Sequence, residues 1–171
     1  MNLMIREETP DDYEEIYKLV KSAFASAEYC DGDEQDLVER LRASSAYIPQ
    51  LALVAELNGR LVGYIMFTAI KIGGASAITL APLAVLPEMQ GKGIGGALIK
   101  EGHRIAGEMG YSFSVLLGHK AYYPRFGYKT STEFGIRTHL DVPEENYMAY
   151  DVQGGQTRLE GFVEYPEAWG L

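Results

Sequence analysis

Gln90-Gly91-Lys92-Gly93-Ile94-Gly95-Gly96-Ala97 is the stretch on which the rest of the chain turns. It lies between an apolar run, residues 78–86, and a segment of helical apolar spacing, residues 97–109. That order predicts a strand, a glycine-rich turn and a helix, with Gly110 to end the helix. Four glycines in six residues leave the backbone uncovered. Its N–H groups can then converge on an anion at the positive end of the helix. A pyrophosphate is the natural guest of such a cradle.

Working outward, Leu3-Met4-Ile5-Arg6 reads as a first strand. Thr9-Pro10-Asp11-Asp12 reads as a helix start: an N-cap, a proline at the first helical position, acids in the first turn. Tyr13, Ile16, Tyr17, Val20 and Phe24 then share one helical face, and Asp33 opens a second helix with Leu37, Val38 and Leu41 as its stripe. Residues 51–57, 61–72 and 76–86 alternate as three strands of a meander, joined by Asn58-Gly59 and Gly73-Gly74. Beyond the glycine segment, residues 112–117 predict a strand and residues 122–126 a short helix closed by Gly127. Residues 128–137, 147–152 and 157–163 are further strand candidates. The sum is an α/β (α+β) chain, one mixed sheet covered by helices.

The bulk properties narrow the function. A chain of 171 residues is long enough for one domain with a real core. A formal charge of −9 argues against nonspecific nucleic-acid binding, which depends on neutralising phosphates. It also means that any bound anion is held by local donors, and it favours a cationic partner such as an amine. One cysteine excludes an intrachain disulfide and fits a reducing compartment. No apolar run approaches the roughly 20 residues that span a bilayer, and the first ten residues carry acids where a signal peptide needs an apolar core. The expectation is a cytoplasmic protein without membrane contact. Three histidines and one cysteine lack metal-ligand spacing, so no metal is expected.

Gly91-x-Gly93-x-x-Gly96 matches the dinucleotide fingerprint in form. Its context differs: it follows an antiparallel meander, Pro87-Glu88-Met89 intervenes after the strand, and the next strand ends Leu116-Leu117-Gly118-His119 without an acid. The Walker pattern is absent, because Lys92 lies among the glycines and no Gly-Lys-Ser/Thr follows.

Gln90-x-x-Gly93-x-Gly95, after an apolar strand and before a helix, resembles the acyl-CoA signature of the GCN5-related N-acetyltransferases, the GNAT family. Ala121-Tyr122-Tyr123-Pro124-Arg125-Phe126-Gly127-Tyr128 resembles the second signature of that family, and the tail around residues 163–168 resembles its YhbS-like bacterial subgroup. The resemblance implies a mixed, mostly antiparallel sheet of about 6–7 strands flanked by about 4 helices and splayed at the acyl-CoA site. It implies a single domain over residues 1–171, with a core to residue 130 and C-terminal strands over 131–171.

The resemblance further implies direct acetyl transfer from acetyl-CoA to the amine of a small molecule or peptide. A non-catalytic acyl-CoA sensor of the same fold is the alternative. Coenzyme A would meet the backbone of Gln90, Gly91, Lys92, Gly93, Ile94, Gly95 and Gly96 through its pyrophosphate, and Leu83, Ala84 and Val85 through its pantetheine arm. Tyr123 stands at the family's general-acid position; a phenol, with a reference pKa of about 10, is protonated at neutral pH. Tyr122 is expected in the core. Glu28, Glu34 and His119 are candidates for taking the amine's proton, and Lys92, Arg125 and Lys129 for the 3′-phosphate. The apolar, tyrosine-rich tail suggests a homodimer face.

Overall fold

A computed structural model describes residues 2–25, 32–155 and 158–171. Strand β1 (Leu3–Glu7) leads through a 3-10 turn at Pro10–Asp12 into α1 (Tyr13–Phe24), followed by α2 (Glu34–Arg42). The meander is β2 (Tyr47–Leu57), β3 (Arg60–Ile72) and β4 (Ala75–Val85). Next come α3 (Ile94–Glu108) and β5 (Phe113–Leu117), then β6 (Lys129–Thr130), β7 (Ile136–Arg137), β8 (Tyr147–Asp151) and β9 (Gly161–Glu164).

The main sheet runs β1-β2-β3-β4-β5-β8-β6, with β9 paired to the end of β3 and to β7. Pairings are antiparallel except β4 with β5 and β7 with β9. Alternation along β3 divides the core. Ile65 and Phe67 face α3, packing with Ile94, Leu98 and Ile99. Tyr64 and Met66 face α1 and α2, packing with Ile16, Val20, Val38 and Leu41. The β2–β3 hairpin turns on Asn58 and Gly59, both with positive φ, as a tight Asn-Gly turn requires.

Three details differ from expectation. Helix α3 begins at Ile94 rather than Ala97. Gly95 and Gly96 are helical, and their bare Cα atoms admit other chains: a Cβ on Gly96 would lie 2.8 Å from the Phe126 ring. Gly110 then ends α3 as expected. It adopts φ +84°, and the N–H of Gly110 meets Gly107 O while that of Tyr111 meets Ala106 O, the Schellman pattern.

Second, there are three α-helices among the described residues, not four. The fourth is a 3-10 turn, Tyr123–Phe126, stopped by Gly127 at φ +93°. Third, residues 128–137 are not one strand: a 3-10 turn at Ser131–Phe134 and Gly135 at φ +79° split them into β6 and β7, which raises the strand number among the described residues to nine.

The tail is used inside the chain. The Tyr165 and Tyr147 hydroxyls meet at 2.6 Å, Trp169 packs with the α1–α2 cluster, and Arg40 Nε donates to the Ala168 carbonyl. A buried carboxylate, Glu8, ties β1 to α2 and the meander. It accepts hydrogen bonds from Arg42 Nε and Nη2 (3.0 and 2.8 Å), Tyr47 (2.5 Å) and Tyr64 (2.9 Å). No helix of the described residues is long and apolar enough to cross a membrane.

Candidate acyl-CoA site

The site begins where two parallel strands separate. β4 and β5 pair only at Ile78↔Ser114 and Thr79↔Val115. Past that point the register of β3 with β4 shifts: Phe67 faces Leu80 but Ile65 faces Leu83. Three steps on β4 thus match two on β3, a bulge at Ala81-Pro82. Proline has no N–H to offer a neighbouring strand. Leu83, Ala84 and Val85 keep their partners on β3, and β5 no longer pairs with them. Gln90 Nε2 donates to the outward Val85 carbonyl at 3.1 Å. By the two-residue period of a strand, the N–H and C=O of Leu83 also turn outward, and those of Ala84 turn to β3. An open backbone edge therefore runs from the bulge toward the glycine segment.

At the end of that edge, a 3-10 turn at Pro87–Met89 delivers the chain to Gly91 and Gly93, with φ of +76° and +83°. A Cβ on either would meet nothing within 4 Å, so both border open space. Gly93 caps α3, and its carbonyl accepts from Ala97 N–H. The N–H groups of Ile94, Gly95 and Gly96 lie in the first turn and have no intrahelical acceptor. The open edge, the uncovered loop and the donor-rich helix start form one continuous track suited to an amide-bearing arm that ends in a phosphate. Among the expected contacts, Ile94 has only its backbone to give, since its side chain is buried in the core. The Gln90 side-chain NH2 is already engaged with Val85.

Tyr123 follows β5 on the 3-10 turn. Its ring lies against Gly118, where a Cβ would come within 2.5 Å of Cε2. It packs edge-on to Tyr122 and Tyr128, at 5.0 and 5.8 Å between centroids. Burial pushes its phenol above the usual value, so it stays protonated and remains a donor. The side chain of His119 is exposed; its carbonyl accepts the N–H groups of Tyr122 and Tyr123, so it shapes the turn. Glu28 lies outside the described residues. Glu34 opens α2, and its Oε2 is buried without a hydrogen-bond partner among the described residues.

Tyr122 packs against the core cluster on the α3 side, at its rim. It is half-buried, with the Arg125 guanidinium 4.7 Å from its ring centre and its hydroxyl at the first turn of α3. Arg125 also borders an open groove of about 530 Å³ with Lys100, His103, Arg104 and Tyr150. The spacing of Lys100, His103 and Arg104 on one helical face is the signal that could have located this groove from sequence. Lys92 and Lys129 are exposed elsewhere on the surface. His103 stacks on Tyr150 at 3.9 Å and meets the Tyr128 hydroxyl at 3.0 Å, and that hydroxyl meets Ser114 Oγ at 2.8 Å. Burial lowers the His103 pKa to about 4, so the ring is neutral. No group of three or more metal-ligating side chains occurs among the described residues.

Comparison with known proteins places this geometry. Residues 49–130 match the family model described as an acetyltransferase (GNAT) domain. The chain is 38% identical over 125 residues to YjhQ, an uncharacterised N-acetyltransferase of Escherichia coli K12, covering 70% of this chain and 69% of that protein. It is 32% identical over 172 residues to YhbS of the same organism, covering 96% of this chain and 97% of that one. A GNAT family acetyltransferase from Brucella melitensis, solved in complex with acetyl-CoA, superposes with a TM-score of 0.82 at 35% identity, covering 98% of each chain. Similarity at this level over almost the whole length, on a sheet that splits between β4 and β5, identifies the chain as a member of the GNAT family of N-acetyltransferases.

Proposed function

We propose that this protein transfers the acetyl group of acetyl-CoA to an amine by direct attack, at the split between β4 and β5. The observation that carries the proposal is the continuous track from the β4 bulge to the start of α3. On this reading the backbone of Leu83 and Val85 pairs with the pantetheine arm. The N–H groups of residues 91–96 hold the diphosphate, aided by the helix dipole. Acetyl-CoA supplies the activated acyl group: the ammonium first loses a proton to solvent, the lone pair so freed bonds to the carbonyl carbon, the C–S bond breaks with its electron pair on sulfur, and the second proton shed by nitrogen balances the one the thiolate gains. Tyr123, a protonated phenol beside the end of β5, donates to that sulfur. The groove lined by Lys100, Arg104 and Arg125 supplies cations for the 3′-phosphate.

Residues 1–171 act as one domain in this proposal, supported by a sheet that links β1 to β9. The acceptor is a cationic amine of a small molecule or peptide, supported by the net charge of −9 and by Asp33, Glu34 and Asp36 at the start of α2. A cytoplasmic setting is supported by the single cysteine. A homodimer would draw on the exposed Phe162 and Leu171, because Tyr165 and Trp169 are packed within the chain.

The test is ligand-induced thermal stabilisation. CoA and acetyl-CoA should raise the Tm of the wild type. Gly93→Asp should abolish the rise, by putting a carboxylate into the open space of the cradle at a left-handed position. Gly93→Asn, which tolerates that conformation without charge, should retain part of it. A wild type that responds to NAD but not to millimolar acetyl-CoA would refute the proposal.

A further inference from the structure

We infer that the Tyr122 hydroxyl donates a hydrogen bond to the diphosphate of CoA, and that residue 95 is glycine to leave that hydroxyl room. The inference rests on the cofactor placement proposed above. Its starting point is a convergence of four residues from three elements: β4, α3 and the 3-10 turn after β5. A Cβ on Gly95 would lie 2.7 Å from the Tyr122 hydroxyl oxygen, 3.7 Å from Leu83 Cδ2 and 3.8 Å from Val85 Cγ2. The hydroxyl therefore stands where the open stretch of β4 meets the first turn of α3.

The chemistry around it is one-sided. A helix start presents N–H donors and no acceptors. Leu83 and Val85 present methyl groups, and Arg125, lying over the Tyr122 ring, is a donor and a cation. The Tyr122 hydroxyl has no hydrogen-bond partner among the described residues, and burial pushes its phenol up, so it keeps its proton. A donor among donors is satisfied by an added acceptor that all of them share. An anion at the helix start is such an acceptor, because its oxygens can take the first-turn N–H groups and the phenol together. The ring is held in place: it packs edge-on against Phe126 at 5.2 Å and Tyr123 at 5.0 Å, and the Tyr122 backbone N–H donates to the His119 carbonyl.

The assignment separates two neighbouring tyrosines. Tyr123 serves the reacting sulfur and Tyr122 serves binding. It also makes residues 95 and 122 a coupled pair. Gly95→Ala would push the hydroxyl aside, and removing the hydroxyl would make room for the methyl group.

The experiment is calorimetric titration of CoA and dephospho-CoA into wild type, Tyr122→Phe, Gly95→Ala and the double variant, with phosphorus NMR of the bound ligand. Tyr122→Phe should bind both ligands about 10-fold more weakly, the worth of a hydrogen bond to a charged acceptor. The diphosphate resonances should shift and the 3′-phosphate resonance should not. Gly95→Ala should weaken binding in the wild type yet change it less than about 2-fold in the Tyr122→Phe background. Unchanged affinity in Tyr122→Phe overturns the inference. So does a loss seen with CoA alone, which would mark the 3′-phosphate, or a loss without a diphosphate shift, which would mark the pantetheine arm. Gly93→Asp keeps the two levels apart. If it binds CoA like the wild type, the cofactor placement itself fails; if it loses CoA while Tyr122→Phe does not, only the role of Tyr122 fails.

Discussion

Tyr123→Phe removes one hydroxyl from the end of β5 and keeps the ring that packs against Gly118, Tyr122 and Tyr128. The fold should therefore be unaffected, and the loss should fall on departure of the thiolate. Its size follows from the burial of the phenol. Burial raises the tyrosine pKa, which makes it a reluctant acid while keeping it a full-time donor. Its contribution is then a hydrogen bond that strengthens as charge develops on sulfur, about 1.5–3 kcal/mol for a charged acceptor. That corresponds to a loss of roughly 10- to 150-fold in kcat, toward the lower end of what a positioned acid supplies. Affinity for acetyl-CoA should change little, because the diphosphate site proposed above lies at the start of α3. The assay is release of free thiol from acetyl-CoA across a panel of amines, with kcat and KM measured separately for the best acceptor. An effect made only in the transition state lowers kcat and kcat/KM together. A Tyr123→Phe enzyme within about 3-fold of wild type would refute the reasoning. So would a loss confined to KM for acetyl-CoA. The raised pKa adds a second check: no limb of the kcat–pH profile between pH 6 and 9 should vanish with Tyr123, since the phenol does not titrate there.

Three further outcomes are expected. Glu8→Ala leaves Arg42, Tyr47 and Tyr64 without their shared acceptor, and should cost about 3–5 kcal/mol in urea unfolding; a loss below about 1 kcal/mol would show that the cluster relaxes around the gap. His103 is held neutral in the fold, with its pKa lowered to about 4 from 6.5. The unfolded chain therefore binds a proton that the folded chain refuses as pH falls through that window. Stability should drop between about pH 6.5 and 4, by up to about 1.4 kcal/mol per pH unit, and His103→Phe should flatten that part of the difference curve. If the acidic start of α2 attracts a cationic acceptor, kcat/KM for the best amine should fall as salt is raised from 20 to about 300 mM; a best acceptor that is neutral or anionic would contradict it.

Much of the architecture was legible because it rests on local periodicity. The Asn58-Gly59 hairpin, the alternation of β2, β3 and β4, and the apolar stripe of α1 are each set by residues close in sequence. The end of α3 was legible for the same reason: Gly110 supplies the left-handed residue that a Schellman cap needs. The start of α3 was not. Gly95 and Gly96 have low helix propensity and read as loop; they lie in the first turn of α3, and they are glycines because Tyr122 and Phe126, some 30 residues onward, occupy the space a Cβ would take. The break between β6 and β7 was missed because alternation over residues 128–137 does not record the turn that Gly135 imposes.

The candidate site divides in the same way. The glycine loop and its exposed backbone donors could be read from local sequence alone, since a glycine run before a helix uncovers N–H groups whatever surrounds it. Local sequence also determined the position of Tyr123 in its motif. The contacts of the side chains near that loop depend instead on the packed fold. It turned His119 into a carbonyl that shapes a turn, committed the side-chain NH2 of Gln90 to Val85, and brought the hydroxyl of Tyr122 from the rim of the core to the helix start. It also gathered Lys100, Arg104 and Arg125 around one groove, and closed a polar cluster on Glu8 from residues as distant as Tyr64. The physical reason is range. Backbone geometry and period are set within a few residues, whereas a side chain's partner depends on which strands part company, and β4 and β5 part at a bulge that is defined only by its register against β3.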